Sequence, residues 1–373
     1  MNLLYIADNG FSSHNGKYYC TAPNKTNIEQ YKRYFDAVHV IARRSKYQDN
    51  SFELSSDSKV ILVKKNRFLL LYKAMKELRH DYSVVLMRNG INGCFAGTYA
   101  AILKKVRIAY CGSDPYDFQH AQKSFFRKYI AAPVWGILER HKMAGADYSQ
   151  YCTQYLYNRY PTKHPYLICS NVDIVTDQND YAERLRKIGA SSSEKMIGMI
   201  GRIDENKGVR TIIRALARLG NEYRFEMIGG GDPQAFREEI DRLGVSDRIE
   251  FLGYYSDKDK IKRWLKTVDI YVQPSLSEGL PRSTVEAMSM ACPCIATNIA
   301  GLPDLLDKEY LIKPGDDAAL AGKIRWLACN PEEAERAAGR SFEKSKEFRR
   351  EVRDKKLDAF YGSIVNEGPG RDK

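Results

Sequence analysis

The sequence lacks the features that would place it across a membrane or in a secretory pathway. It has no run of about 18 apolar residues, so a transmembrane helix is not expected. A short apolar run ends at Asp8 with no basic segment before it, which predicts a first buried strand and not a signal peptide. The eight cysteines are scattered without metal-ligand or Cys-x-x-Cys spacing. We therefore expect reduced thiols and a cytoplasmic protein.

Positive charge is unevenly distributed along the 373 residues, although the chain as a whole carries +12. Residues 1–175 hold 25 Lys and Arg against 13 Asp and Glu, whereas residues 176–373 hold 34 of each kind. An anionic membrane surface, a phosphate-bearing acceptor and a merely solubilising surface all remain open as explanations. We find no DNA- or RNA-binding motif, so no nucleic acid partner is expected.

The length and the alternation of patterns predict two α/β domains, because 373 residues are long for one hydrophobic core. Short apolar strands alternate with helical patterns in both halves, which indicates mostly parallel sheets. Predicted strands cover 3–8, 37–42, 59–64, 83–88, 107–112, 147–153, 195–201, 224–229, 248–253, 269–274, 292–297 and 310–314. The predicted domains are 1–172 and 173–345, and a final helix covers 346–366.

Two glutamates mark the segment 275–304, which runs between two of these strands. Glu278 follows the strand 269–274, and Glu286 lies seven residues further, inside the next predicted helix. Ligands of open α/β sheets bind at the carboxyl ends of the strands. A loop glutamate and a helical glutamate at that edge can therefore reach one ligand at two points.

This segment resembles the donor-binding region of the retaining glycosyltransferases of family 4. A second segment, 201–216, supports the resemblance: a strand ends in Gly-Arg, and a Lys-Gly pair opens the next helix. The match is strong over 195–330 and weaker over 1–170. It implies an α/β GT-B fold, with two doubly wound Rossmann-like domains facing across a cleft and a C-terminal helix returning to the N-terminal domain.

The resemblance also implies roles for individual side chains. Arg202 and Lys207 would stabilise the leaving diphosphate, Glu278 would contact the donor sugar, and Glu286 would bind the ribose hydroxyls. A covalent nucleophile role for Glu278 is a lesser alternative to a front-face mechanism. The remaining donor-binding candidates are Gly16, Gly201, Gly230, Ser275, Gly279, Leu280 and Pro281. We identify no Asp-x-Asp metal motif and expect neither a metal nor a cofactor, because the two cations supply positive charge.

The N-terminal domain is expected to bind the acceptor. Its first loop follows strand 3–8 and contains His14 and Gly16, while a second segment brings Asp114, Asp117 and His120 to the end of a strand. These side chains are the acceptor-side candidates. An alternative for the second segment is an Asp-Pro turn in which Asp114 caps its own turn.

The segment 123–142 mixes basic residues with Phe125, Phe126, Tyr129 and Trp135. We interpret this stripe as core, with docking on a membrane interface as the alternative. If it docks, the acceptor is expected to be lipid-linked. The following segment, 146–161, resembles transferases of bacterial surface-polysaccharide assembly.

Together these patterns predict a retaining, metal-independent glycosyltransferase that uses a nucleotide-diphosphate sugar. The expected acceptor is a saccharide or a lipid-linked saccharide, and the expected process is the synthesis of capsule, exopolysaccharide or lipopolysaccharide. The predicted location is the cytoplasm or the inner face of the membrane. A nucleotide-sugar epimerase of the same architecture and a non-catalytic, membrane-associated scaffold remain as alternatives.

Overall fold

The computed structural model describes residues 1–48, 51–63, 68–120, 124–190 and 194–367. The chain divides into an N-terminal unit, which comprises residues 1–170 and those from 354 onward, and a C-terminal unit of residues 171–353. The sequence analysis placed the two boundaries after residues 172 and 345, whereas the structure places them after residues 170 and 353. Within the described ranges, no helix is both long enough and apolar enough to span a bilayer.

The N-terminal unit is a mostly parallel sheet with helices between its strands and two short antiparallel strands at one side. Its strands are β1 (Leu3–His14), β2 (Lys17–Cys20), β3 (Val38–Arg44), β4 (Phe52–Glu53), β5 (Val60–Val63), β6 (Val84–Met87), β7 (Val106–Cys111), β8 (Tyr148–Tyr151) and β9 (Tyr166–Ile168). Its helices are α1 (Ala22–Tyr31), α2 (Phe68–Glu77), α3 (Ile91–Ile102), α4 (Pro115–His120), α5 (Ala132–Gly145) and α6 (Gln154–Arg159). A π-helical turn, Arg127–Ala131, leads into α5. The parallel strands lie in the order β5-β3-β1-β6-β7-β8-β9, so the sheet is doubly wound.

The predicted first loop is not a loop. β1 continues to His14 and pairs antiparallel with β2, so His14 lies opposite Lys17. Asn15 and Gly16 both have positive φ, +46° and +75°, as an Asn-Gly hairpin turn requires. The conformational freedom of Gly16 therefore serves this turn, and a donor contact by Gly16 stays a prediction.

The C-terminal unit is a second doubly wound sheet, with strand order β12-β11-β10-β13-β14-β15 and parallel pairing throughout the described ladder. Its strands are β10 (Lys195–Ile200), β11 (Tyr223–Ile228), β12 (Ile249–Gly253), β13 (Ile270–Gln273), β14 (Cys294–Thr297) and β15 (Leu311–Ile312). Its helices are α7 (Gln178–Gly189), α8 (Val209–Ala217), α9 (Arg237–Arg242), α10 (Lys258–Thr267), α11 (Arg282–Ser289), α12 (Asp317–Cys329) and α13 (Pro331–Ser345). Asp177, Asp257 and Asp316 cap α7, α10 and α12 by accepting hydrogen bonds from backbone N–H groups of the first turn.

The last helix, α14 (Arg350–Glu367), returns to the N-terminal unit, which confirms the predicted return. Leu357, Phe360, Tyr361 and Ile364 are buried in one of that unit's two hydrophobic clusters. The Tyr361 hydroxyl also donates to Gln150 Oε1 at 2.6 Å. The apolar residues at three- and four-residue spacing, which predicted docking of the last helix, therefore form the face that packs on the N-terminal unit.

The stripe in segment 123–142 is exposed, so its interpretation as core is wrong. Lys123 lies outside the described residues. Large apolar side chains on α4, on the π-helical turn and the two residues before it, and on α5 are between 50% and 73% exposed. We call them the apolar surface patch: Phe118, Phe125, Phe126, Tyr129, Ile130, Val134 and Ile137. The opposite side of α5 is buried through Ala132, Glu139, Lys142 and Met143.

Candidate active site

The C-terminal sheet changes the direction of its strand order between β10 and β13, where open α/β sheets bind ligands. The loop after β10 and the loop after β13 approach each other closely at this point. Gly208 has φ +73°, and a Cβ there would lie 2.0 Å from the Pro274 carbonyl oxygen, so only glycine fits. The Leu276 N–H donates to the Asn206 carbonyl at 2.7 Å. The Lys-Gly pair of the sequence is therefore what lets the two loops meet.

Lys207 and Glu278 form an ion pair across these loops. Lys207 Nζ lies 2.5 Å from Glu278 Oε1, and the side chains are 25% and 8% exposed. Because the pair is largely shielded from solvent, its attraction is weakened less by water than that of a surface pair. The structure thus joins two residues that the sequence placed 71 positions apart.

Two further groups hold the same carboxylate oxygen. Ser275 Oγ donates to Glu278 Oε1 at 2.7 Å, and Gln273 Nε2 donates to it at 3.2 Å. No group among the described residues donates a hydrogen bond to Oε2 of Glu278. One oxygen is therefore fixed by three donors, and the other retains its capacity to accept from a ligand hydroxyl.

Gln273 is a site residue that the sequence analysis missed. It is fully buried at the end of β13, and its Nε2 also donates to Ser275 Oγ at 2.9 Å. Its Oε1 accepts from the hydroxyls of Tyr271, Ser283 and Thr284 at 2.9, 3.3 and 3.4 Å. A buried amide with this many partners is a rigid support for Glu278. The available signal was a polar residue ending the otherwise apolar strand 269–274.

Arg202 is not brought onto Glu278. Its side chain is 75% exposed, and its Nε and Nη2 atoms each lie 2.8 Å from Asp204 Oδ2. The other oxygen of Asp204 accepts the backbone N–H of Lys207 at 3.0 Å. Arg202 is thus tethered next to the ion pair but remains open to solvent, where an anionic ligand can compete for it.

Glu286 lies in the second turn of α11 and has a different environment from Glu278. No described group donates a hydrogen bond to its carboxylate. Burial raises the pKa of Glu286, while the charges of Arg282 and Lys258 act in the opposite direction. A half-buried carboxylate without partners is a chemically suitable acceptor for two vicinal hydroxyls.

The start of α11 is open at the backbone. Pro281 is the residue that precedes the helix, and no side chain in the described ranges caps its first turn. The Gly279 carbonyl accepts from the Gly301 N–H at 3.1 Å, which fixes the loop that also contains Leu280. Uncapped N–H groups at a helix start favour a nearby anion.

Gly230 is not sterically required where the sequence placed it. A Cβ on Gly230 would meet no atom within 4 Å, whereas one on Gly229 would lie 1.6 Å from the Gly201 carbonyl oxygen. Gly231 forms a parallel backbone bridge with Ile203, and a Cβ on Gly231 would lie 2.6 Å from the Ile203 carbonyl oxygen. The triplet therefore packs against the loop that follows β10, and a donor contact by Gly230 stays a prediction.

The acceptor-side candidates of the N-terminal unit have structural partners. Asp114 Oδ1 accepts the backbone N–H groups of Tyr116 and Asp117 at 2.8 and 3.3 Å and the Tyr160 hydroxyl at 2.6 Å. Asp114 is buried and also pairs with Arg159 at 2.5 Å. The capping alternative is therefore observed, and an acceptor contact by Asp114 stays a prediction.

Asp117 forms one cluster with Asp114, because the Tyr155 hydroxyl and the Arg159 guanidinium contact both carboxylates. His120 stacks on Tyr116, and His14 stacks on Tyr47 with ring centroids 4.5 Å apart. Asp117 accepts from the Tyr155 hydroxyl at 2.8 Å, and burial together with the charge of Asp114 raises its pKa.

Asp8 was missed, although it ends the parallel part of β1. It lies beside the N-terminal sheet's own switch point, between β1 and β6, and its Oδ1 accepts the Asn92 N–H at 3.1 Å. A Cβ on Gly90 would lie 1.9 Å from Asp8 Oδ2. Burial raises the pKa of Asp8. A charged residue that closes the first apolar strand was the signal available in the sequence.

Comparison with known proteins identifies the C-terminal part. Residues 180–344 match the family described as Glycosyl transferases group 1. The match lies within the C-terminal unit, residues 171–353. The chain is accordingly a glycosyltransferase.

Relatives and solved structures extend over more of this glycosyltransferase. Protein CapJ of Staphylococcus aureus is 27% identical over 343 residues, 87% of this chain and 85% of CapJ. The capsular polysaccharide biosynthesis glycosyltransferase CapM of Staphylococcus aureus is 24% identical over 203 residues, about half of each chain (52%). Anabaena HepE in complex with UDP superimposes with a TM-score of 0.71 at 16% identity, over 98% of this chain and 100% of HepE. The structural likeness shows the GT-B fold.

The glycosyltransferase does contain an Asp-x-Asp triplet, so the interpretation that it has none is wrong. The triplet is Asp257-Lys258-Asp259, and Asp257 Oδ1 accepts the Asp259 N–H at 2.8 Å at the start of α10. Across the described ranges, no group of three or more His, Cys, Asp and Glu is placed to hold a metal ion. The triplet acts as a helix cap.

Proposed function

We propose that this glycosyltransferase is a retaining enzyme of family 4 that transfers a sugar from a nucleotide-diphosphate sugar. The observation that carries the proposal is the cluster at the C-terminal switch point. There, Lys207 and Glu278 are paired. No donor among the described residues reaches Oε2 of Glu278 or the carboxylate of Glu286. These groups match the three parts of such a donor: diphosphate, sugar and ribose.

The diphosphate is expected to bind between the two cations and the start of α11. Arg202 can exchange Asp204 for phosphate oxygens, and Lys207 supplies a compact charge that already lies beside Glu278. Donors that are in place before the reaction stabilise the charge that develops on the leaving group. We propose on this basis that the reaction needs no metal.

The proposed chemistry proceeds on one face of the sugar. The bond between the anomeric carbon and the phosphate oxygen breaks, and a bond to the acceptor hydroxyl oxygen forms. The acceptor proton passes to the leaving diphosphate. Glu278, held through Oε1, would bind a sugar hydroxyl through Oε2 and is not assigned as a nucleophile.

The expected acceptor is a saccharide or a lipid-linked saccharide of a surface polysaccharide, at the cytoplasmic face of the membrane. The name of CapM and the UDP bound by HepE support this process and a nucleotide donor. The positive charge of residues 1–175 is compatible with a phosphate-bearing acceptor. The nucleotide base, the sugar and the linkage are left to experiment.

The test is nucleotide release from UDP-, GDP- and ADP-sugars by the full chain, with Glu278→Gln as the matched control and chelator in a parallel reaction. We expect one donor to stabilise the protein against heat, and we expect slow nucleotide release that persists with chelator and is lost in the variant. Once an acceptor is identified, the anomeric configuration of the glycoside product, read by NMR, is expected to equal that of the donor.

Three results would overturn parts of this proposal. An inverted product removes the retaining mechanism, and complete loss of release with chelator removes metal independence. Formation of the epimeric sugar from the donor without any acceptor indicates an epimerase. Absence of both binding and release with every donor favours a scaffold.

A further inference from the structure

Apart from Phe118 on α4, the apolar surface patch occupies one side of a continuous helical segment, residues 125–145. Phe126, Ile130, Val134 and Ile137 follow one another at spacings of four, four and three residues, which places them on a single face. The face that carries Glu139 and the other buried side chains of α5 is the one turned to the core. The exposed face is therefore apolar, and no described side chain of the N-terminal unit covers it.

The exposed charges of residues 124–146, which carry all of the patch except Phe118, are of one sign. Between Ser124 and Ala146 the sequence contains a single carboxylate, Glu139, and it is fully buried against Lys142 at 2.7 Å. Arg127 and Arg140 are exposed, and Lys128 is half-buried with its Nζ 5.3 Å from the centre of the Tyr129 ring. Residues 124–146 thus offer cations and aromatic rings but no exposed carboxylate, and Asp117, the carboxylate next to Phe118, is paired with Arg159.

We propose that the apolar surface patch docks the N-terminal unit on an anionic lipid bilayer, lying in the interface without crossing it. Exposed aromatic and aliphatic side chains can enter the boundary between headgroups and acyl chains, while Arg and Lys reach the lipid phosphates. Each Lys or Arg near an anionic surface strengthens binding roughly fivefold. The absence of exposed carboxylates along the segment removes the repulsion that a mixed-charge surface would meet.

A bilayer fits these observations better than a second protein does. A protein partner with an apolar surface would need no cations around it, whereas an acidic protein would need no row of aliphatic side chains. The excess of positive charge over residues 1–175 extends the attraction beyond the patch itself. The inference does not depend on the proposed sugar transfer.

The test is co-sedimentation of the full chain with phosphatidylcholine vesicles, with and without phosphatidylglycerol, in the absence of nucleotide. We expect binding only when phosphatidylglycerol is present, and we expect it to weaken as salt is added. The patch variant is Phe125→Ser with Phe126→Ser, and the charge variant is Arg127→Gln with Lys128→Gln. Val175→Ser is the matched control, because Val175 is 81% exposed and lies in the C-terminal unit.

The patch variant is expected to bind anionic vesicles roughly tenfold more weakly or worse, because two aromatic side chains are lost. The charge variant is expected to lose roughly tenfold or more and to become less sensitive to salt. Both should retain the unfolding temperature and acceptor-free nucleotide release of the parent chain. Val175→Ser should bind as the parent does.

Several outcomes would overturn the proposal. It fails if the parent chain ignores anionic vesicles, or if both variants bind as strongly as Val175→Ser. It also fails if the parent self-associates through the patch, so that the patch variant is a monomer with unchanged vesicle binding. Because nucleotide release is measured separately, a loss of vesicle binding does not count against the proposed transfer.

Discussion

The two units have the same kind of doubly wound sheet but place polar groups at its carboxyl edge in different ways. In the C-terminal unit the polar groups hold one another and still leave acceptor atoms open, as with Glu278 and its supports Gln273 and Ser275. In the N-terminal unit Asp114 is enclosed by a helix start, Tyr160 and Arg159. The contrast teaches that a charged residue after a strand becomes a ligand group only when the fold leaves one of its atoms unsatisfied.

Lys207→Ala gives the largest expected effect and sharpens the contrast on the catalytic side. Turnover should fall roughly 100- to 1,000-fold, because a preorganised donor to the leaving diphosphate is lost. The free energy of unfolding should fall by only about 1–2 kcal/mol, since Ser275 and Gln273 still donate to Glu278. Kinetics and thermal unfolding measure the two effects. Lys344→Ala, which removes a surface pair with Glu347, is the control and should change neither.

Asp114→Ala should affect stability more than activity, the reverse of what is expected for Lys207→Ala. The free energy of unfolding should fall by about 2–4 kcal/mol, because a buried cap and the partners of Tyr160 and Arg159 are lost together. Donor-dependent nucleotide release should change little in the folded fraction. Denaturant unfolding and release assays on the same preparation measure this. A large loss of turnover at unchanged stability would break the contrast and give Asp114 an acceptor role.

Gln273→Leu tests whether a buried amide positions Glu278. We expect kcat to fall roughly tenfold with a smaller change in the nucleotide dissociation constant, because one of three donors to Oε1 is removed. The control is Gln150→Leu, which replaces a fully buried glutamine of the N-terminal sheet that bonds Tyr361 and Cys169. That variant should lose stability and keep kcat. Equal kinetic behaviour of the two variants would remove the positioning role.

Glu286→Gln gives a kinetic effect no larger than that of Gln273→Leu, together with a pH signature. The raised pKa of Glu286 means that its ionisation costs stability at neutral pH and that this cost disappears as pH falls toward the ordinary glutamate range. The variant should therefore be more stable at pH 7, with the difference vanishing in acid. Donor KM should rise roughly tenfold and lose the increase that the parent shows when Glu286 becomes protonated on acidification. Glu250→Gln, at an exposed position of β12, should show neither change.

The order of strands and helices could be predicted because each is a distinct apolar pattern. The hairpin of β1 and β2 was not predicted. Beyond Asp8, β1 contains polar residues, and such residues are typical of a loop. The signal for the hairpin was the Asn15-Gly16 dipeptide. Spacing alone also could not tell which side of α5 is buried, so Phe125 and its neighbours were placed in the core.

The candidate site was only partly predictable for a similar reason. Motif spacing marks Lys207 and Glu278, and the short loop between strand and helix fixes where they can lie. The partners that decide their behaviour come from elsewhere in the fold. Neither the support of Glu278 by Gln273 nor the tether of Arg202 to Asp204 follows from composition or periodicity.

The most direct test of the account is a double-mutant cycle of Lys207→Ala and Glu278→Ala on kcat/KM with the donor identified in the panel. If the pair acts as one unit on the donor, the double variant should be little worse than the poorer single variant. The coupling should then be at least about 1.5 kcal/mol. Additive losses within about 0.5 kcal/mol, or near-parent activity of either single variant, would contradict the assignment of this ion pair to the reaction.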